Sequence, residues 1–310
     1  MELRDIEIFL TLAEELHFGR TAERLHITPS RVSQAIKKQE RGIGAPLFDR
    51  TSRVVRLTPL GEQLRDDLYA GYRQILKGID AAKEAVHGTT GSLTLGTMGP
   101  MTLLIGDLLD LFQARHPRAR LQHREIQPPS PLDLLRSGEV DVALLWLPVR
   151  EPDLTVGPVL HTSSVLLMVG ADHPYAGRDA VGLEDLGDCA LVGGRSIPAY
   201  MEETLAPFRT PSGRPIRHDP KVSTWQEALT AVSSAQAAAG VAAEAARFYP
   251  WPSLAFVPIR DAPPCEWAFV WRTADDNPLI RALVQAAADL ERGAESPAPN
   301  TAEHVQEHPV

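Results

Sequence analysis

The sequence predicts an α/β protein in two unequal parts: a small basic helical module at the N-terminus and a larger body of alternating strands and helices, joined by one long helix. Three observations predict it. Between residues 20 and 56 nine Lys or Arg stand against only Glu23, Glu40 and Asp49, in a chain whose formal net charge is −9. From 60 to 87 apolar residues recur every three or four positions with no proline to interrupt them. Beyond residue 92 the apolar period switches repeatedly between that of a strand and that of a helix.

At 310 residues and 44% apolar composition the chain can build two or three cores. No run approaches eighteen consecutive apolar residues, and the chain opens on Glu2, Arg4 and Asp5, so a cytoplasmic protein without a membrane partner is expected. Cys189 and Cys265 lie far apart with no CxxC or His-Cys cluster, which predicts buried structural thiols rather than a zinc site or a disulfide framework. Neither a metal nor a cofactor is expected.

In chain order, Leu3, Ile6, Phe9, Leu10, Ala13 and Leu16 fall at helical spacing, and His17, Phe18 and Gly19 should break that helix. A short second helix is expected over about 20–25 and a third over about 29–41. Thr28 can cap the third helix with Pro29 at its first position, so the chain stops and restarts at a steep angle, and Ala22 permits a close crossing. On this third helix Val32, Ala35, Ile36 and Ile43 share one side, with Gln39 among them. Ser30, Arg31, Ser33, Gln34, Lys37, Lys38 and Arg41 share the other.

That outward face is basic with almost no carboxylate, which suits the major groove of double-stranded DNA. Ser30, Arg31, Ser33 and Gln34 would read base edges and Lys37 and Lys38 would meet phosphate, with Thr28 and Pro29 at the leading end of the interface. Two short strands are expected between 46 and 57 around Asp49, Arg50, Thr51 and Ser52, and Arg50, Arg53 and Arg56 would make them a cationic wing.

Thr58 and Pro59 start the long helix. Leu64, Leu68, Tyr72, Ile75, Ile79, Ala82 and Val86 form a narrow seam along it, suited to a second copy of the chain. Gly88 to Ser92 form a linker. Strands are then expected at about 93–96, 121–126, 140–147, 165–169, 189–192, 254–258 and 267–271. Helices are expected at 101–115, 131–137, after 197, at 225–239 and at 278–292. This alternation predicts a parallel, doubly wound sheet. Residues 293–310 lack apolar periodicity and are expected to be a disordered tail. No GxSxG, HExxH, P-loop or GxGxxG occurs and the ten histidines are scattered, so an enzyme is not expected.

The run from Ala22 through "RLHITPSRVSQAIKKQERGIGAPLFDRTSRVVRLTPLGEQL" resembles the winged helix-turn-helix of the LysR-type transcriptional regulators, with turn, recognition helix, "PLFDR", "RLTPLG" and linker helix in that family's order. The resemblance extends over about residues 2–292. It implies a DNA-binding domain over 1–58, a linker helix and hinge over 59–91, and an effector domain over 92–292 similar to periplasmic solute-binding proteins. Its two Rossmann-like subdomains would comprise about 92–161 with 266–292, and 162–265. It further implies a homodimer or homotetramer bending promoter DNA, a small-molecule effector, and RNA polymerase as a further partner.

Ligands of such sheets collect at the carboxyl ends of the strands. The expected effector residues are therefore Thr97, Met98, Gly99, Pro100, Met101, Thr102, Gln127, Pro128, Ser130 and Trp146 from one subdomain, and Gly194, Arg195, Ser196, Ile197, Thr224, Trp225 and Gln226 from the other. Free amides at Gly99, Met101 and Thr102, assisted by Arg195, would hold an anion, and Trp146 and Trp225 would suit an aromatic metabolite. The chain also departs from the family pattern. Gly99 and Pro100 stand where members often place a Ser or Thr pair that grips a carboxylate. Pro29 and Ser30 stand where many carry Gln and Pro, and Gln39 stands where Leu is usual. A Gln on the packed side either finds a partner or costs stability.

Overall fold

The computed structural model describes residues 2–50, 55–87, 91–275 and 277–295. Arg53, linker residues 88–90 and the tail from 296 onward lie outside the described residues, as do the side chains of Arg50, Ala82, Val86 and Pro100.

Helix α1 (Leu3–Glu15) begins in reciprocal bonds between Glu2 and Asp5 and buries Ile8, Phe9 and Leu12. Helix α2 (Phe18–Arg24) starts earlier than the spacing suggests, because the His17 ring accepts a hydrogen bond from the Arg20 amide at 3.1 Å and caps it. Phe18 and Gly19 are therefore its first turn rather than a break. Thr21 and Ala22 are buried where α2 meets α3 (Pro29–Ile43). The Thr28 hydroxyl caps α3, accepting from the Arg31 amide at 3.2 Å, and Gly44, at φ 86°, closes it. The left-handed backbone there is one that glycine adopts without strain.

Val32, Ala35 and Ile36 are buried as their shared side requires, whereas Ile43, at the last turn, is exposed. Glu40 Oε1 accepts the Leu47 and Phe48 amides at 3.0 and 3.3 Å, fastening the wing strands β1 (Phe48–Arg50) and β2 (Val55–Leu57) to α3. The two strands pair antiparallel, Phe48 opposite Leu57. The Thr58 hydroxyl accepts the Gly61 amide at 3.0 Å and opens α4 (Pro59–His87). Leu64, Leu68 and Tyr72 of α4 pack on the core of this same module, while Ile75 and Ile79 are 46% and 44% exposed. The expected seam thus divides: its first three members are satisfied within the chain.

The body continues as β3 (Ser92–Thr97), α5 (Gly106–Arg115), β4 (Arg120–Glu125), α6 (Asp133–Arg136), β5 (Val142–Trp146), β6 (Leu154–Ser163), β7 (Val165–Gly170) and β8 (Ala190–Gly194). Then follow α7 (Ala199–Leu205), β9 (Arg217–Val222), α8 (Trp225–Ser233), β10 (Ala239–Ala242), α9 (Glu244–Phe248), β11 (Leu254–Pro258), β12 (Cys265–Arg272) and α10 (Pro278–Glu295).

One sheet has the order β4-β3-β5-β12-β6. In the other half β10-β7-β11 form a sheet, and β8-β9 join it through a parallel bridge between Leu191 and Ala238. The second half therefore repeats the order of the first, as β9-β8-β10-β7-β11. The chain crosses between the halves at 163–165 and again at 258–265. Neither sheet is wholly parallel: β12 runs antiparallel to β5 and β6, and β7 antiparallel to β10 and β11. The returning strand at each crossover enters the sheet from the far end, so the expected all-parallel arrangement becomes a mixed one.

Two strands escape the alternating pattern, β6 with its Gly157-Pro158 and β9 with its Pro220. Both are edge strands, where a missing amide donor breaks no ladder. The helix expected over 101–115 is a 3-10 turn over Gly99–Ile105 followed by α5. That expected to run to Ala239 ends at Ser233, and the alanine-rich segment after it becomes β10, buried against β7.

Candidate nucleic-acid interface and ligand cleft

Thr28, Pro29, Ser30, Arg31, Gln34 and Lys37 are exposed along one side of α3, and Ser33 is half-buried among them. The charge behind this face is less than the sequence count suggests. Arg20 and Arg24 are paired to Glu15 and Glu14 of α1, Arg24 also reaching Glu15, at 2.7–3.1 Å. Lys38 Nζ lies 3.2 Å from the buried carboxylate of Asp5. Burial raises the Asp5 pKa, but the Glu2 amide and Lys38 outweigh it and hold this carboxyl below its ordinary value.

Lys38 therefore ties α3 to α1, although its side chain stays 62% exposed. Arg31, Lys37, Arg41 and Arg56 carry no ion pair among the described residues, and Arg41 reaches back to the Lys37 carbonyl at 3.2 Å. Gln39 is 4% exposed: its Nε2 donates to the Asp5 carbonyl at 2.7 Å, and its Oε1 is buried without a partner.

A second site opens between the two halves of the body. The cleft has a volume of about 150 Å³. Met98, Gly99, Met101, Pro128, Trp146, Gly194, Ile197 and Trp225, all expected from the strand ends, line it. Thr97 is buried in β3, and Thr102, Ser130, Arg195, Ser196 and Gln226 lie outside the lining. Gln127 acts as a latch, its Oε1 accepting the Trp225 amide at 2.9 Å across the two halves. Thr224 caps α8, its hydroxyl accepting from the Glu227 amide. Further bonds span the halves, among them Ser196 N to Pro129 O at 3.0 Å, Trp146 Nε1 to Met201 O at 2.9 Å, Arg150 N to the Tyr200 hydroxyl at 3.1 Å and Thr204 Oγ1 to Leu147 O at 3.3 Å.

Much of the lining comes from residues outside the expected set, some of them, such as Glu125, Val222 and Ala242, at strand ends. Glu125, Pro129, Val192, Glu202, Leu205, Val222, residues 239–242, Glu244, Phe248, Tyr249 and Trp267 all contribute. Two features narrow the expected anion cradle. The Met101 amide is donated to the Met98 carbonyl at 3.3 Å, and a side chain at Gly99, where φ is 51°, would strike the Tyr249 hydroxyl.

Glu202 accepts from the Gly194 amide at 2.9 Å and contacts His218 Nδ1 and Lys221 Nζ, each at 3.4 Å. Burial pushes its pKa up, but these donors prevail and hold it below the ordinary value. Glu244 accepts from Ser163 Oγ at 2.6 Å and lies 2.7 Å from His161 Nε2, both on the crossover strand β6. Burial pushes the Cys189 thiol up to about 11 and the Cys265 thiol up to about 12, as expected of inert packed thiols.

A winged helix-turn-helix with a polar, cationic outward face, joined to a body of two α/β halves around a cleft, defines a helix-turn-helix regulatory protein with a ligand-binding body. Residues 3–62 match the family described as bacterial regulatory helix-turn-helix protein, lysR family, and residues 87–291 match the LysR substrate binding domain. The chain belongs to the LysR family of transcriptional regulators.

It is 31% identical over 193 residues to the HTH-type transcriptional regulator AlsR of Bacillus subtilis, a match covering 62% of this chain and 64% of that protein's length. It is also 31% identical over 189 residues to the hydrogen peroxide-inducible genes activator of Escherichia coli O6:H1, covering 60% of this chain and 61% of the relative. The crystal structure of CbnR, a LysR family transcriptional regulator, shares the fold, with a TM-score of 0.67, 21% identity and coverage of 93% of this chain and 99% of that one. No helix among the described residues is long and apolar enough to cross a membrane.

Proposed function

We propose that the chain regulates transcription in the cytoplasm by reading promoter DNA with α3 and the wing, in response to a small molecule held in the cleft. The observation that carries this is the division of α3. Val32 and Ile36 are fully buried against the module, while Ser30, Arg31, Gln34 and Lys37 are left facing solvent in an order a major groove can accept. Self-association through α4 would set two such helices at a fixed spacing, as a homodimer or homotetramer. Its basis is the exposed pair Ile75 and Ile79 on a helix whose preceding turns are already packed. RNA polymerase is a natural further partner of a protein so placed.

Closure of the cleft around its ligand would change the relation of the two halves and, through α4, the spacing of the DNA-bound modules. The test is a gel shift with the upstream intergenic DNA. Ser33→Ala or Gln34→Ala should alter sequence preference by about 1–3 kcal/mol. Lys37→Ala should weaken binding to every sequence and reduce the salt slope by about one. Equal losses on specific and random DNA for all three would contradict the roles assigned.

A further inference from the structure

We propose that the cleft is selective for a small organic ammonium ion carrying one compact apolar group, and turns away organic carboxylates. This rests on the reading of the cleft as the effector site. Size limits the occupant first: at about 150 Å³ the cleft matches the class of cavity that admits a single benzene ring.

The walls set its character. Trp225 and Tyr249 meet at 5.3 Å between ring centroids and 59° between planes, and Trp146 and Trp267 at 6.2 Å and 67°, with Phe248 beside them. Aromatic rings gathered around one space can attract a cation wherever a ring face is turned toward it.

Charge decides the sign. Among the described residues the lining includes Glu125, Glu202 and Glu244 but no Lys, Arg or His. Glu202 and Glu244 are already bonded to protein donors. Glu125, at the end of β4, is exposed, and its carboxylate makes no hydrogen bond or ion pair among the described residues. It lies close enough to Tyr249 that, after burial, its charge is the second influence pushing the phenol up.

No cationic side chain among the described lining residues is placed to hold an anion. The Met101 amide is bonded, the space above Gly99 is filled by the Tyr249 hydroxyl, and Arg195 is outside the lining. The indole N–H groups of Trp225, beside the Tyr249 hydroxyl, and of Trp267 are buried without a hydrogen-bond partner among the described residues, but they are neutral donors and bring no positive charge. A carboxylate would enter beside Glu125 with no cation left to pair with it, since Lys221 and His218 are held by Glu202 and His161 by Glu244. An ammonium would meet aromatic faces and one unengaged carboxylate.

Calorimetric titration of the full-length protein at neutral pH with benzylamine, benzyl alcohol and benzoate varies charge on one ring. Benzylammonium should bind at least about tenfold more tightly than benzoate. Glu125→Gln should weaken benzylammonium about tenfold and leave benzyl alcohol within about twofold. Ala245→Phe, which fills the cleft from the partly exposed side of α9, should abolish both while the gel shift with DNA persists. Benzoate binding as tightly as benzylammonium, no heat from benzylamine at millimolar concentration, or indifference to Glu125→Gln would each overturn the ammonium selectivity and leave the effector cleft standing. Undiminished binding to Ala245→Phe would remove the cleft as the site, and the selectivity with it.

Discussion

Gln39→Leu should stabilise the N-terminal module, and the structure gives the size of the effect. The Gln39 side chain is buried between α3 and α1 with one donor bonded to the Asp5 carbonyl at 2.7 Å and its oxygen unpaired. An unpaired buried acceptor costs about 1–3 kcal/mol, and a single neutral hydrogen bond returns about 0.5–1.5 kcal/mol. Leucine gives up that bond and removes the orphan. The Asp5 carbonyl stays inside α1, where the helical ladder still uses it. Leu and Gln have nearly equal helix propensity, so the backbone adds little. A branched side chain in a space shaped by a straight one subtracts part of the gain.

The net is about 1 kcal/mol, which for a module of this size raises its melting temperature by about 4–8 °C. The assay can isolate the module, because the five tryptophans, at 146, 225, 251, 267 and 271, all lie in the body. Far-UV ellipticity should show a helical transition moving upward while the tryptophan fluorescence transition stays in place. DNA affinity should hold within about twofold, since Gln39 lies opposite the outward face of α3. A fall in the ellipticity transition would show that the carboxamide is worth more than its unpaired oxygen costs, and would refute this account of the α1–α3 contact.

Three further outcomes are expected. Ile75→Glu should reduce the sedimentation coefficient of the purified protein toward that of a single chain, because it puts charge on the exposed part of α4; an unchanged assembly would place the interface elsewhere. Native protein should react with a thiol reagent only as it unfolds, and hydrogen peroxide should leave its DNA binding unchanged, since both thiols are buried and pushed up to about 11 and 12; rapid labelling of either cysteine would contradict this. Glu202, held below its ordinary value, contributes stability that is complete above the unfolded carboxyl's pKa of about 4.3 and lost as pH falls through the lower folded value. Glu202→Gln should accordingly destabilise the body at neutral pH and flatten the acid limb of its fluorescence-monitored unfolding; a parallel shift at every pH would argue that the ionised form is not what those donors hold.

The N-terminal module was legible almost to the residue because its signals are local. Thr28 and Pro29 mark the start of α3, whose end at Ile43 before Gly44 lies two residues past the expected 41, and Thr58 with Pro59 marks the start of α4. What the spacing missed there is a cap made by an unusual residue, the ring of His17, which turns an apparent break into a first turn. The body was legible in its alternation and not in its edges. Proline in β6 and β9 reads as a stop, and only the sheet order shows that each stands where no neighbour needs its amide. The alanines after α8 carry helix propensity, yet burial beside β7 makes them a strand.

The same limits govern the two sites in different ways. On α3 one helix supplies the whole outward face, so its periodicity alone sorts exposed Arg31, Gln34 and Lys37 from buried Val32 and Ile36. A charge count along the sequence still overstates that face, because Glu14, Glu15 and Asp5 on another helix neutralise Arg20, Arg24 and Lys38 across the fold. The cleft is assembled wholly by tertiary contact. The expected strand-end residues include Met98, Gly99 and Trp225, while a second group, Glu125 at the last position of β4 with Tyr249 and Trp267, reaches the same space from positions outside the expected set. Its chemistry turns on that second group: Gly99 with Met101 suggests an anion cradle only until Tyr249 occupies the space above it and Glu125 brings its charge to the rim.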